Sequence, residues 1–478
     1  MPENERISAN QIKKNIVLSI SVQLISLCVS FLLNLIVPRF ISEYQYAYWQ
    51  GFVLYLGYVG VLHFGLLDGI VLRYSQYDYE DLDKDRLRSQ FALLLLMTGL
   101  FAIIAVAFSL GVSTEVTRNT VMLVGLGIIT RNVFTYGSYS FQITNRISKY
   151  SLLIIAQRLT FGLIVCGLLL AKVDRFEWYC LAELVGDVVG IVLAFCFNGD
   201  LYVGKLISLK DGLNELKKNV QSGFILMLAN WSSILLIGSA KMIIQWRWDE
   251  LTFGKISFSF SVSSLFLTFI SAISVVLFPS LKRMEQDKLP QLYRSIRGSV
   301  SPILFFMMLF YFPGCWLLNI ILPAYTPSLT YLATLLPIII YSSKVNLLTN
   351  NYLKAYRKEK YMLQVNLISI SIAVIMFVIG AYVLNSLEVV LVCIVVAMMI
   401  NSILSEVFVM KIIKVRFVKE FVVEAIMTVV FIVIANSFDL WIACGLYAVA
   451  VALYFVYERE NLLPVLNQLL KFVRRDSK

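Results

Sequence analysis

Four basic residues of this chain lie inside long apolar stretches, where nothing in the surrounding composition can solvate them: Arg131, Arg158, Lys255 and Lys344. A charged side chain at the centre of a bilayer-spanning helix costs about 2.5–3.5 kcal/mol on insertion scales. Such groups must therefore face protein or a wet cavity rather than lipid. The carboxylates at comparable depth are Asp68, Glu183 and Asp187. Glu183 and Asp187 are four residues apart and share one helix face. Guanidinium and ammonium groups pair well with phosphate, so buried cations suit an anionic ligand. Arg131, Lys344 and Arg158 are the first candidates for such a site, with Arg39, Lys241 and Lys255 adding positive charge at its outer mouth. Each cation has a plainer reading, as a structural ion pair or, for Arg39 after Pro38, as a side chain that reaches water from a span end. Asp68, Glu183 and Asp187 are candidates to carry a coupling proton or sodium ion, with salt bridging to the same cations as the alternative.

The elements that position these groups follow from the apolar pattern. The chain has 478 residues, 59% of them hydrophobic, with mean hydropathy +0.79, which excludes a soluble globule. Fourteen apolar stretches are long enough to cross a bilayer, at roughly 16–37, 49–72, 91–112, 119–144, 150–171, 177–197, 220–241, 253–279, 299–322, 329–352, 361–384, 388–411, 420–437 and 439–457. The spaces before, between and after them alternate in charge. Eight hold 31 of the 41 Lys and Arg, and the seven between those hold only Arg39, Arg118, Lys172, Arg175, Lys241 and Arg247. This alternation places both termini in the cytoplasm of a multi-pass protein of the cell membrane. Six of the seven Trp fall near span ends on the opposite face, which agrees without using charge. The net charge of +11 sits at span ends, where anionic lipid accounts for it, so no nucleic-acid partner is expected.

The expected organisation is 1–197 as a first lobe of six spans, 198–219 as a linker, 220–416 as a second lobe of six, and 417–478 as two further spans with a tail. In the linker, Leu206, Leu209, Leu213 and Leu216 alternate with Lys205, Lys210, Lys217 and Lys218, which reads as a helix on the inner membrane surface. The tail 462–473 has a similar pattern. The lobes look like weak copies. At an offset of 211, Arg146, Lys149, Tyr150, Leu152 and Glu177 fall on Arg357, Lys360, Tyr361, Leu363 and Glu388. Six spans per copy is an even number, so the repeats are parallel. Arg131 and Lys344 fall near one another in this register and are expected to face one central cavity from opposite lobes.

His63, the one histidine, reads as a hydrogen-bonded packing residue, and Gly186 with Gly190 as a close helix contact. The seven cysteines form no CxxC, and neither a Walker A loop, a nucleophile elbow nor an HExxH is present. Glu406 and Glu424, near inner span ends, are expected to be solvated.

The first two spans carry Asn15, Pro38-Arg39, Glu43-Tyr44 with Tyr46 and Tyr48, Phe64-Gly65-Leu66, Gly69-Ile70 and Arg73-Tyr74. In these residues the chain resembles the polysaccharide biosynthesis family of the multidrug/oligosaccharidyl-lipid/polysaccharide flippase superfamily. The chain departs from the pattern at Gln45-Tyr46-Ala47, where a small Gly usually follows the Glu-Tyr pair, and at Leu67-Asp68, where the acidic residue comes after the Gly. The resemblance implies an all-α polytopic fold, two parallel six-helix lobes around a central cavity plus two C-terminal helices, opening alternately to each side. It implies an oligosaccharide flippase of the bacterial inner membrane, not an enzyme. The cargo would be an undecaprenyl-diphosphate-linked oligosaccharide for O-antigen, capsule or exopolysaccharide assembly. A polysaccharide polymerase and a chain-length regulator are the implied partners, beside membrane lipids. No cofactor is implied beyond a coupling H+ or Na+. Gln157, Asn230, Asn346 and Asn350 could meet the sugar. The competing expectation is a multidrug or small-molecule antiporter of the same fold, for which the surplus of interior cations is a poor match.

Overall fold

In hydrocarbon every backbone N–H and C=O must be satisfied within its own segment, so apolar stretches of this length fold as helices. The computed structural model describes residues 9–283, 289–356, 358–415 and 417–459, and these are helical with no strand among them. The expected amphipathic tail lies outside the described residues.

Among the described residues ten helices are long and apolar enough to span a bilayer, and two bent pairs bring this to twelve where each pair is one span. The bends differ in cause. One, of 58°, separates Glu43–His63 from Leu66–Tyr74, where Phe64 (φ 49°) and Gly65 (φ 83°) both adopt the left-handed conformation. The other, of 53°, separates Pro323–Leu335 from Ile338–Ala355 at Pro337, whose ring removes a helix donor. The remaining two of the fourteen expected spans are helices Glu115–Ile143 and Val418–Ser437. Both carry charge inside the helix, Arg131, which is partly exposed, and Glu424, which is buried.

The chain forms two compact units. One holds the residues up to Gln245 with Asp249–Gly254, and the other holds Trp246–Trp248 and the chain from Lys255. The first contains α1 (Ala9–Phe31), α2 (Glu43–Leu56), α3 (Leu66–Tyr74), α4 (Lys84–Leu110), α5 (Glu115–Ile143), α6 (Ile147–Leu170), α7 (Phe176–Asn198) and nearly all of α8 (Leu209–Arg247). The sequence places a lobe boundary in the linker 198–219, whereas α8 runs unbroken for 39 residues and packs on the first unit as far as Gln245.

Glycine explains that packing. A Cβ on Gly69 would collide with the Asn219 backbone, and one on Gly223 with the backbone of Gly65 and Gly69. Helices α3 and α8 therefore touch backbone to backbone. Polar groups extend the contact toward the C-terminal end of α3. Arg73 meets Glu215 at 2.6 Å and the Asn219 side-chain oxygen at 2.5 Å, and the Tyr74 hydroxyl donates to Glu215 at 2.9 Å. Leu216 packs beside the cluster of Leu67, Ile70 and Tyr74, while Leu206, Leu209 and Leu213 stay exposed. The expected single apolar face is thus divided. In the neighbouring loop, Tyr79 donates to Asp200 and lies under the Arg146 guanidinium, 3.7 Å from ring centre. Burial, aided by that carboxylate, pushes the Tyr79 hydroxyl up to about 12.

Gly69→Ala is expected to overpack this contact and cost about 1–3 kcal/mol, seen as a lower melting temperature of the detergent-purified chain. Gly99→Ala, where a Cβ meets open space, should leave it unchanged or raise it. Equal melting of the two variants would contradict the backbone contact.

The second unit contains α9 (Glu250–Arg283, from Lys255), α10 (Leu289–Met307), α11 (Tyr311–Ile321), α12 (Thr326–Leu335), α13 (Ile338–Ser343), α14 (Asn350–Ala355), α15 (Glu359–Val378), α16 (Leu387–Ile413), α17 (Val418–Ser437) and α18 (Leu440–Tyr457). A π-helical turn, Lys344–Thr349, joins α13 to α14. Such turns often mark places where a side chain is re-aimed.

Candidate functional site

In the first unit the charged residues at mid-helix come together. Gly186 and Gly190 of α7 make the close contact expected of them. A Cβ at Gly186 would press on the Gln157 carbonyl of α6, and one at Gly190 would strike Phe134 of α5. This seats Glu183 and Asp187, on the same face of α7, against α5 and α6. Arg131 of α5 reaches both, with Nη2 2.7 Å from Glu183 and Nε 3.1 Å from Asp187. Gln157 of α6 donates to Asp187 at 3.2 Å. Arg158, the next residue of α6, feels the field of Glu183, Asp187 and Arg131. It makes no ion pair within 4.0 Å among the described residues, and it is half-buried.

Access separates the members of this cluster. The Asp187 side chain is fully buried, whereas a quarter of the Arg131 side chain is exposed. The site therefore presents one guanidinium already braced by two carboxylates and a second without a carboxylate at ion-pair distance. Planar guanidiniums offer paired donors that match the oxygens of a phosphate.

Lys344 is placed otherwise than the sequence suggests. It does not look into a cavity: its side chain is 0% exposed and lies between Glu406 of α16 and Glu424 of α17, 2.6 Å from the latter. Arg297 of α10 closes the group, 2.7 Å from Glu406 and 3.3 Å from Glu424. The Ser301 hydroxyl donates to Glu424 at 2.6 Å. Two cations and two carboxylates so cancel inside the second unit. The sequence reading missed this quartet. It counted Arg297 with the cytoplasmic charges and took Glu406 and Glu424 as solvated, whereas all three are buried. The signal that could have found them was the excess of charge on helices otherwise apolar enough to span a bilayer.

The other candidates are dispersed. Arg39 is exposed at the end of the first span, as its plainer reading holds. Lys241 of α8 and Lys255 of α9 are half-buried. Asp68 and His63 lie at the bend of the second span, with Asp68 Oδ2 3.8 Å from His63 Nε2. Asn132 donates to the Val59 carbonyl at 3.1 Å, satisfying an oxygen near the broken turn. Of the amides, Asn230 and Asn346 are exposed and Asn350 is half-buried.

No protein-family model and no curated protein matches the chain. Solved structures do. A structure described as lipid II flippase MurJ in an inward closed conformation aligns with TM-score 0.67 over 93% of this chain and 99% of its own, at 12% identity. An inward-facing multidrug resistance MATE family transporter of the MOP superfamily aligns with TM-score 0.59 over 84% and 98%, at 14% identity. A MATE transporter in the straight conformation gives 0.57 over 84% and 96%, at 15%. At such identities the likeness establishes the fold. This chain is a multi-pass helical membrane protein with the fold of the MOP-superfamily flippases and transporters.

Proposed function

We propose that the chain is a flippase that carries a polyprenyl-diphosphate-linked oligosaccharide across the cell membrane, with both termini in the cytoplasm. The observation that carries this reading is the guanidinium pair of the first unit. Arg131 is partly exposed at mid-helix, and Arg158 beside it has no carboxylate within ion-pair distance. A diphosphate would bind across these two donors, while the isoprenoid tail stays in the bilayer and the sugar meets side-chain amides. A fold shared with a protein named a lipid II flippase supports a lipid-linked cargo. No bond is made or broken in the cargo, so nothing in the reading calls for a catalytic group. A cation exporter of the same fold would want carboxylates in surplus, and Glu183 and Asp187 are already committed to Arg131.

Arg158→Ala tests this. Binding of undecaprenyl diphosphate to the purified chain, followed by tryptophan fluorescence, should weaken about tenfold to a hundredfold, the worth of one or two charge-assisted hydrogen bonds. Arg158→Lys should recover part of the loss, because it keeps the charge without the fork. Undiminished binding and movement of the lipid by Arg158→Ala would end the assignment.

A further inference from the structure

The bend of the second span holds a carboxylate that the anion site does not use. Glu183, Asp187, Glu215, Glu406 and Glu424 are all buried, and each meets Arg or Lys at ion-pair distance. Asp68 is 6% exposed and, among the described residues, meets neither. Its neighbours on the packed elements are His63, Tyr139 of α5 and Asn230 of α8, whose amide donates to Oδ1 at 3.5 Å. Arg73, further along α3, is held by Glu215 and Asn219. A carboxylate at this depth without a cationic partner takes up a cation or a proton, or is a costly charge.

The hydrogen bonding decides between these. The Gly65 N–H donates to His63 Nδ1 at 3.1 Å. An Nδ1 that accepts carries no proton, so the proton of the neutral ring sits on Nε2, the atom facing Asp68. The Asn230 amide likewise turns its N–H toward the carboxylate. Asp68 is thus faced by two N–H donors, with the Tyr139 hydroxyl near it. A sodium ion, which needs several oxygen ligands, would find there one carboxylate and one hydroxyl. A proton needs no more than that.

We propose that Asp68 is the proton-carrying group of this protein. One O–H bond forms at its carboxylate with a proton drawn from water and breaks again during each cycle, and His63 is a positioning residue fixed as the Nε2–H tautomer. The use of that proton in transport rests on the flippase reading, but the site itself does not. Asn230 is exposed while Asp68 is not.

The chain's one histidine makes the test direct. The full-length protein, labelled with 15N-histidine and reconstituted in lipid, should show a single imidazole in the Nε2–H form. Infrared difference spectra should show the carbonyl stretch of a protonated carboxyl that disappears as pH rises. That band should be lost in Asp68→Asn, persist in Glu183→Gln, and stay unchanged when sodium replaces choline at fixed pH. In His63→Ala the band should remain but titrate at a shifted pH. A band that survives Asp68→Asn, that responds to sodium at fixed pH, or that is missing altogether overturns the proposal, as does an Nδ1–H histidine. Movement of undecaprenyl diphosphate into proteoliposomes is read separately. Should the band titrate while no lipid moves, the flippase reading falls and the proton site stands; lipid movement without the band has the opposite meaning.

Discussion

Lys344→Met is expected to remove about 3–5 kcal/mol of folding stability, because it leaves a buried carboxylate without its counter-charge. The quartet it belongs to is closed on every side that the contacts define. Glu406 and Glu424 approach Lys344 from α16 and α17, and Arg297 reaches both from α10. Phe417 and Phe421 stand 4.8 and 5.3 Å from the Arg297 guanidinium, which excludes water from that side. A neutral methionine of similar volume keeps the packing and deletes one positive charge. Restoring neutrality should restore stability, so Lys344→Met with Glu406→Gln is expected to melt near the unmodified chain. The measurement is the melting temperature of the three purified proteins, with membrane abundance alongside. Transport by Lys344→Met should fall only as far as its abundance does. A single variant as stable as the parent, or a specific loss of transport at full abundance, would return Lys344 to the cargo path that the sequence suggests.

This cluster also shows where sequence reading stops. The all-helical membrane fold was legible because length and apolarity alone set it, and ten helices and two bent pairs among the described residues meet the length and apolarity of a span. The ion pair of Arg131 with Glu183 and Asp187 was legible too, since two carboxylates one turn apart share a face and a mid-span cation must find such a partner. The quartet was not. Arg297 lies 109 residues from Glu406, and hydropathy says nothing about which helix faces which. Near a span end, a charge reads equally well as solvated or as turned inward. The bends divide the same way. Pro337 is visible as a break, whereas the left-handed pair Phe64 and Gly65 is signalled by one glycine. The backbone contact of α3 with α8 rests on Gly65, Gly69 and Gly223 meeting in space, which no local pattern specifies. Hence α8 was assigned to a second lobe while it packs on the first unit.

Arg131→Ala is expected to lower transport of the lipid diphosphate about a hundredfold or more, the equivalent of ~2.7 kcal/mol of lost interaction. That result alone would be ambiguous, because the substitution also strands Glu183 and Asp187. The stability loss should be smaller than at Lys344, since a quarter of the Arg131 side chain is exposed and its carboxylates are less completely enclosed with it. The triple variant Arg131→Ala, Glu183→Gln, Asp187→Asn separates the two effects. It removes one cation together with two carboxylates and leaves Arg158 as the charge of the site. If Arg131 serves to neutralise its neighbours, the triple variant regains both stability and transport. If its guanidinium holds the cargo phosphate, stability returns and transport stays low, with weaker lipid binding and unchanged abundance. The quarter-exposed side chain favours the second outcome, because a purely structural cation can be fully enclosed, as Lys344 is in a cluster of the same charge composition.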